Sequence, residues 1–210
     1  MLKKEGFDRW ARDYDADVQR SETNSEYPFA GYGDVLRGIC GEAVSSPGKD
    51  ILDLGFGTAV LSSFLYSNGY KISGIDFSQG MIDAARKKMP EALLLCGDFT
   101  RGLPEELSGR TFDTVIATYS IHHLAPENRP DFLLALADRL KDGGKILIGD
   151  VMFRTEAEQE ACRSKFRDIW DDDELYILVD RLAPQIEARG LSCRFDRKSF
   201  CSGILVIQKR

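Results

Sequence analysis

Residues 51–59 read ILDLGFGTA, and residues 74–76 read GID. The first stretch begins as an apolar run and ends in a glycine-paired turn, which predicts a buried strand that leads into a helix. The second stretch closes another strand on a single carboxylate, that of Asp76. In an open α/β sheet, such a turn lets the backbone approach a ligand, while the acid accepts hydrogen bonds from a ribose diol. Together the two stretches predict a nucleoside-binding site.

The spacing of the small residues in this turn distinguishes two kinds of nucleoside cofactor. A dinucleotide fingerprint needs glycine at positions 55 and 57 and glycine or alanine at position 60, but Val60 occupies the last of these. The pattern is acid-x-Gly-x-Gly-x-small instead, with Asp53 before the turn and Ala59 at its end. It resembles motif I of the class I S-adenosylmethionine-dependent methyltransferases, in which glycine is more common at the last position. A turn with a purely structural role is the alternative interpretation.

Size and composition are those of one globular domain, residues 1–210. The net charge of −6 gives no electrostatic reason to expect a nucleic-acid partner. The five cysteines are odd in number and form no CxxC pair, so we expect reduced thiols in a cytoplasmic protein. No apolar run approaches the length of a signal-peptide core or a membrane span, and we therefore expect no membrane association.

Hydrophobic periodicity and turn residues predict alternating strands and helices along most of the chain. The strands are predicted at residues 50–54, 71–76, 92–96, 111–118, 145–151, 192–200 and 203–209. The helices are predicted at residues 5–20, 33–45, 58–68, 78–88, 129–140 and 173–189, and a charged stretch at 156–174 leads into the last of them. The alternation predicts a mostly parallel, doubly wound α/β sheet. The last two strands are too close for a crossover helix and are therefore expected to form an antiparallel hairpin.

The resemblance to class I methyltransferases implies a Rossmann-like sheet of seven strands in the order 3-2-1-4-5-7-6. It is strongest over residues 48–152, which would form the cofactor-binding core. Residues 1–45 would form an N-terminal helical lid, and residues 153–210 a C-terminal helix and antiparallel hairpin. In such lids a tyrosine often reaches the cofactor carboxylate, which points to Tyr14, although an amphipathic helix with core aromatic residues is the alternative. The aromatic, glycine-bearing loop at 27–33 suits a movable cover.

The resemblance also assigns the methionine end of an S-adenosylmethionine cofactor to the first turn. Backbone from Gly55 through Phe56 to Gly57 would contact the methionine part, and Asp53 would reach its ammonium group. Glycine suits this turn because its missing Cβ lets a ligand lie against the main chain. For Asp53, the alternative is a side chain that caps its own turn.

The nucleoside end of the cofactor is assigned to the ends of the second and third strands. Asp76 would accept both ribose hydroxyls, and Phe77 and Met81 would pack on the adenine. The segment after the third strand resembles the family's Gly-Asp-hydrophobe motif, in which Asp98 would accept from the adenine amino group and the backbone at Phe99 would meet a ring nitrogen. Met81 has helical spacing to core positions and Asp98 is a typical turn residue, so a structural role is the alternative for each.

Residues 117–124, ATYSIHHL, follow the fourth strand and narrow the reaction subclass. Amino-methylating enzymes of nucleic acids carry Asn/Asp-Pro-Pro-aromatic here, cytosine C5 enzymes need Pro-Cys, and magnesium-dependent catechol enzymes place a ligating Asp here. The chain has none of these features. The segment resembles that of small-molecule bacterial methyltransferases, among them short uncharacterised enzymes of Gram-positive bacteria. Thr118 and Tyr119 complete the predicted cofactor-binding residues.

The two histidines of the chain, His122 and His123, are adjacent and are the candidate catalytic residues. Neighbouring side chains point in different directions, so we expect one imidazole to face the acceptor and the other to pack or to cap the next helix. No carboxylate or cysteine lies at ligand spacing, and zinc needs three or four ligands, so no metal site is predicted. With an ordinary pKa of about 6.5, either ring suits a general base. A structural role for both is the alternative.

These observations predict an S-adenosylmethionine-dependent methyltransferase. The acceptor would be an O, N or S atom of a small molecule, and the protein would be a monomer or homodimer without nucleic-acid or membrane partners. A nicotinamide-dependent oxidoreductase is one alternative, although Val60 opposes it. A protein that binds S-adenosylmethionine without catalysis is the other.

Overall fold

The computed structural model describes residues 26–210. The predicted helix at 5–20, and with it Tyr14, lies outside the described residues. Eight strands form the sheet: β1 Asp50–Leu54, β2 Lys71–Asp76, β3 Leu93–Cys96, β4 Phe112–Thr118, β5 Leu140–Phe153, β6 Ile177–Leu178, β7 Leu191–Arg197 and β8 Ser202–Lys209. The helices of eight or more residues are α1 Tyr32–Val44, α2 Val60–Ser67, α3 Gln79–Lys88, α4 Arg129–Ala137, α5 Glu156–Lys165 and α6 Val179–Glu187. None of these helices is long and apolar enough to cross a membrane.

The strand order is β3-β2-β1-β4-β5-β8-β7. The first five strands of this order are parallel, whereas β8 runs antiparallel to both β5 and β7. The two-residue β6 adds to the end of β5. When this short strand is left out of the numbering, the order is the predicted 3-2-1-4-5-7-6. The predicted doubly wound fold with a terminal antiparallel hairpin is therefore confirmed.

The helix α5 is absent from the sequence-based prediction, which has only a charged stretch there. Its sequence is mostly polar, and of its ten residues only Cys162 is buried, so it shows little of the apolar periodicity that marks a helix. A local signal does exist: Thr155 and Glu158 have the spacing of a capping box. The Thr155 side chain accepts a hydrogen bond from the Glu158 backbone N–H at 3.3 Å.

Two other element boundaries differ from the predicted ones by five residues or more. The last predicted helix begins late, at Val179, because the two residues before it pair with the end of β5. The strand β5 begins early, at Leu140, whereas the predicted helix at 129–140 and the predicted strand at 145–151 leave residues 141–144 as a connection. Leu140 already pairs with Phe112, and the register then shifts before Lys145, so these residues form an irregularity inside the strand rather than a turn before it.

Helices cover both faces of the sheet. The apolar positions of α1, α2 and α3 pack on one face, and those of α4 and α6 pack on the other. The strands β1 and β4 are parallel neighbours, but the chain leaves β1 towards β2 on one side and β4 towards β5 on the other. In open α/β sheets, ligands bind outside the carboxyl ends of the strands at such a reversal. The fold therefore places the candidate site above the ends of β1 and β4.

Candidate active site

A cleft of about 830 Å³ opens at this edge of the sheet and is called the cofactor cleft below. Every predicted site residue that the structure describes lines it: Asp53, Gly55, Phe56, Gly57, Asp76, Phe77, Met81, Asp98, Phe99, Thr118, Tyr119, His122 and His123. The volume is within the range of pockets that bind drug-sized ligands. Residues that the sequence analysis did not predict also line the cleft, among them Glu174, which lies against both histidines.

The glycine turn after β1 has the backbone that the sequence predicts. Gly55 and Gly57 have φ angles of +71° and +51°, a left-handed region in which side chains are strained. A Cβ on Gly55 would meet the Cβ of Ser120 at 2.6 Å, whereas one on Gly57 would meet no atom within 4 Å. Gly55 thus serves packing, and Gly57 faces open space in the cleft. Ala59 also takes a positive φ, 57°, which is consistent with the glycine that resembling sequences more often carry here.

Asp53 is buried at the end of β1, and its two oxygens are in different situations. One oxygen, Oδ2, accepts a hydrogen bond from the Ser62 hydroxyl. The other, Oδ1, has no hydrogen-bond partner among residues 26–210. Burial raises the pKa of this carboxyl to about 7, against the hydrogen bond from Ser62 and with help from the charge of Asp76. The side chain does not cap its own turn, because its hydrogen bond goes to α2.

Asp76 ties the end of β2 to the glycine turn. Its Oδ2 accepts a hydrogen bond from the Gly57 backbone N–H at 2.8 Å, and its Oδ1 accepts one from the Ser78 N–H at 2.9 Å. Ser78 in turn caps α3 by accepting from the backbone N–H of Met81. One buried carboxylate therefore fixes the turn after β1 and the start of α3 relative to each other.

The side chains predicted to surround an adenine differ in exposure. Met81 is buried and belongs to the core face of α3 as well as to the cleft, whereas Phe77 is partly exposed. Asp98 accepts from the backbone N–H and the hydroxyl of Thr100 at 3.0 and 2.6 Å and pairs with Arg101. These contacts are those of a turn-forming aspartate, as the alternative expects. A contact of Asp98 or of Phe99 with an adenine stays a prediction.

Aromatic rings cover the cleft above the end of β4. Tyr119 follows this strand with a φ of 50°, an uncommon value for a bulky residue that is found most often at functional sites. Its ring lies 5.2 Å from that of Tyr32 and 5.4 Å from that of Phe29, between ring centroids. Phe29 and Tyr32 belong to the loop at 27–33. Tyr27, at the start of this loop, shares a hydrogen bond with Tyr176 through their hydroxyls. The loop at 27–33 is therefore packed between β4 and the segment before β6.

His122 is held by a buried carboxylate on β5. Its Nδ1 lies 2.7 Å from Oδ1 of Asp150, and its backbone N–H donates to the other oxygen at 3.3 Å. Asp150 is fully buried. Although burial of the ring opposes its charged form, the carboxylates of Asp150 and Glu174 outweigh that effect and raise the pKa of His122. A carboxylate on Nδ1 fixes the ring orientation and directs Nε2 away from β5.

Both imidazoles face Glu174, which contradicts the expectation that they diverge. Oε2 of Glu174 lies 3.5 Å from Nε2 of His122 and 3.7 Å from Nδ1 of His123. The two histidines lie in the single turn of 3₁₀ helix Ile121–His123, and their ring centroids are 4.2 Å apart. Consecutive side chains diverge by about 120° around a 3₁₀ turn, so the turn alone does not bring the rings together, and Glu174 reaches both of them from a distant segment. Burial and the neighbouring His122 lower the pKa of His123 to about 4.

Arg129 places Glu174 next to the histidines. This arginine is buried at the start of α4 and donates to the backbone carbonyls of Leu124, Leu175 and Tyr176. It therefore joins the loop that carries the histidines to the segment that carries Glu174. The sequence analysis missed Glu174, because nothing local connects it to residues far earlier in the chain. Asp150 does have a local signal, since it is the one charged residue in the run ILIGDVMF at residues 146–153.

Comparisons with known sequences agree on one family. A family model described as "Methyltransferase domain" matches residues 51–144. An uncharacterized methyltransferase of Geobacillus sp. (strain WCH70) is 31% identical over 201 residues, which cover 92% of this chain and 91% of that protein. Another, of Geobacillus kaustophilus (strain HTA426), is 32% identical over 202 residues, which cover 92% of this chain and 90% of that protein.

Solved structures share the fold at low sequence identity. The structure of a DhpI–SAH complex has a TM-score of 0.67 at 18% identity and covers 98% of this chain and 94% of that one. The magnesium protoporphyrin IX methyltransferase (ChlM) from Synechocystis PCC 6803 with bound SAH has a TM-score of 0.67 at 20% identity, with 86% and 84% coverage.

A doubly wound sheet with a glycine turn and carboxylates at its reversal point is typical of α/β proteins that bind a nucleoside ligand. Together with its relatives, this shows that the chain belongs to the class I S-adenosylmethionine-dependent methyltransferases. The predicted family, enzyme class and cofactor are thereby confirmed. The comparisons give no methyl acceptor for this chain.

The raised pKa of Asp53 predicts how its replacement changes stability with pH. The pKa is about 7 in the folded protein, against an ordinary value of 3.8, so between these values the folded state binds more protons than the unfolded state. This carboxyl therefore lowers the free energy of unfolding as pH rises from 4 to 7. We expect the free energy of unfolding of Asp53→Asn, relative to that of the unmodified protein, to increase with pH across this window and to stay constant above it. Urea unfolding at a series of pH values measures this difference.

Asp50→Asn is the matched control, because the hydrogen bond and charge of Lys141 lower the pKa of Asp50. The contribution of Asp50 is complete above its ordinary pKa, so the stability difference for this variant should be constant from pH 4.5 to 7. A pH-independent difference for Asp53→Asn as well would show that the fold does not hold Asp53 in its protonated form.

Proposed function

We propose that this enzyme transfers the methyl group of S-adenosylmethionine to an O, N or S atom of a small molecule that binds between the glycine turn and the two histidines. The observation that carries this proposal is the cofactor cleft itself. Asp53, Gly57 and Asp76 line it at the ends of β1 and β2, the glycine-turn end, and His122 lines it after β4 on its buried carboxylate, the acceptor end. Membership of the methyltransferase family counts against both alternatives, a nicotinamide oxidoreductase and a non-catalytic binding protein.

The glycine-turn end has the chemistry that the cofactor needs. Oδ1 of Asp53 is a buried acceptor without a described hydrogen bond, which suits the ammonium group of the methionine part. The open space at Gly57 lets a ligand lie against the backbone. Asp76 is oriented by two backbone N–H groups, and its carboxylate suits the ribose hydroxyls. We propose that these three residues hold the cofactor, with Phe77 and Met81 beside the adenine.

When bound, S-adenosylmethionine supplies a methyl group on a positively charged sulfur, already activated for transfer. The protein then has to align the acceptor, exclude water and remove a proton. We assign water exclusion to the aromatic side chains of Phe29, Tyr32 and Tyr119, which pack against one another over the cleft. We assign the proton to Nε2 of His122, because Asp150 occupies Nδ1 and stabilises the protonated ring.

The glycine turn gives the sharpest test of the cofactor half of this proposal. Gly57→Val places a side chain in the open space of the cleft and is expected to abolish binding of S-adenosylhomocysteine in calorimetry. The control is Gly190→Val, a glycine after α6 with a φ of +84° and no atom within 4 Å of its would-be Cβ. It carries a similar backbone strain outside the cleft, so it should bind normally. Normal binding by Gly57→Val would mean that the ligand does not approach this turn.

The acceptor half is tested at His122. A screen of small thiols, carboxylates, phenols and amines with methyl-labelled S-adenosylmethionine first identifies an acceptor. His122→Ala should then bind S-adenosylhomocysteine nearly as well as the unmodified protein, because the ring lies at the acceptor end. Its turnover should fall by about 10²–10⁴-fold, the range for loss of a positioned acid–base group. The control Asn128→Ala changes an exposed residue of the same connection and should keep full turnover; equal rates for both variants would refute the role of His122.

A further inference from the structure

Three side chains from two distant segments converge at the acceptor end of the cofactor cleft. They are His122, His123 and Glu174, called the histidine cluster here. Nε2 or Nδ1 of each ring and a carboxylate oxygen of Glu174 lie within 4.8 Å of one another. Within residues 26–210, this is the one group of three or more His, Cys, Asp or Glu side chains arranged so that it could hold a metal ion. The sequence analysis predicted no metal site because it had no third ligand.

The distances in the cluster are close to those of a metal centre. Zinc binds histidine nitrogen and carboxylate oxygen at about 2.0–2.2 Å, so neighbouring ligand atoms of a tetrahedral site lie about 3.3–3.6 Å apart. Oε2 of Glu174 is 3.5 Å from Nε2 of His122 and 3.7 Å from Nδ1 of His123. All three side chains are partly buried, with 12%, 20% and 22% exposure. Small movements of two side chains would complete the geometry.

A buried carboxylate also orients one of these ligands. Asp150 lies 2.7 Å from Nδ1 of His122 and is fully buried. When Nδ1 donates to this carboxylate, the lone pair of Nε2 points into the cluster. Histidine ligands of metals commonly donate their other N–H to a carboxylate, which fixes the ring and raises its basicity. The surroundings of His122 are therefore those of a metal ligand as well as those of a base.

We propose that His122, His123 and Glu174 bind a divalent transition-metal ion of the zinc type. Two imidazoles and one carboxylate favour Zn²⁺, Co²⁺ or Ni²⁺ over Mg²⁺ and Ca²⁺, which prefer oxygen ligands. All three side chains line the cofactor cleft, so the remaining coordination position of the ion faces the acceptor. Three protein ligands leave one position for an exchangeable ligand, unlike the four protein ligands of structural zinc sites.

The ion and the proposed acid–base reaction use the same atom. An ion on Nε2 of His122 takes the position of the proton that this nitrogen would receive from the acceptor. The metal-loaded enzyme should therefore be inhibited, and a chelator should restore its turnover. This consequence rests on the proposed function, whereas binding of the ion does not.

Binding is tested on the full-length, metal-stripped protein by titration with Co²⁺, followed by its visible absorption, and by competition with Zn²⁺ in calorimetry. We expect one ion per chain, bound with a micromolar or lower Kd, and the intense visible bands of a four-coordinate Co²⁺ complex. Glu174→Gln and His123→Ala should each weaken binding by at least about 100-fold, and Asp150→Asn by about 10–100-fold. Circular dichroism and thermal unfolding show whether each variant is folded.

Asp172→Asn is the matched control, since it removes one negative charge two residues before Glu174, on a side chain that is 71% exposed. It should bind the ion as the unmodified protein does. Absence of binding below millimolar concentrations, or equal affinities for Glu174→Gln and the control, would overturn the metal site. Tight binding without inhibition of turnover would leave the metal site intact and refute the role of His122 as a base, so the two failures are distinguishable.

Discussion

Two hydrogen bonds to the carboxylate of Asp76 hold the binding site together. They come from the backbone N–H groups of Gly57 and Ser78, so one buried side chain joins the turn after β1 to the start of α3. Charge-assisted bonds of this kind are stronger than neutral ones, and losing a partner in a buried position is costly. The conformation of the turn at Gly57 depends on this connection, and so does the cofactor half of the proposed function.

At the acceptor end, buried charged groups again fix neighbouring segments through their hydrogen bonds. Asp150 is fully buried, and His122 meets both of its oxygens. Arg129 then supplies the link that brings Glu174 to the histidines. A buried carboxylate and a buried guanidinium are expensive to place in a core and become favourable only when their hydrogen bonds are made. These hydrogen bonds therefore fix the side chains at this end of the cleft, whether His122 binds a proton or a metal ion there.

The sequence predicts the fold and the glycine-turn end far better than the acceptor end, for a physical reason. The residues around Asp76 lie within one strand–helix–strand unit, where a local pattern marks the strand, the turn and the acid. The alternation of strands and helices likewise predicts the mostly parallel sheet, and the family resemblance implies its strand order. Glu174, in contrast, reaches His122 across 52 residues (174 − 122), and only the fold and Arg129 make them neighbours. The meeting of both imidazoles with one carboxylate also depends on that distant segment, and no periodicity in the sequence indicates it.

We propose that the cleft between β1 and β4 accepts S-adenosylmethionine and rejects a dinucleotide. Calorimetry on the unmodified protein tests this most directly, with S-adenosylhomocysteine and NAD⁺ titrated separately under the same conditions. We expect a micromolar Kd for S-adenosylhomocysteine, which corresponds to about −7 to −8 kcal/mol, and no binding heat with NAD⁺. Clear binding of NAD⁺ together with no heat and no thermal stabilisation by S-adenosylhomocysteine would contradict it.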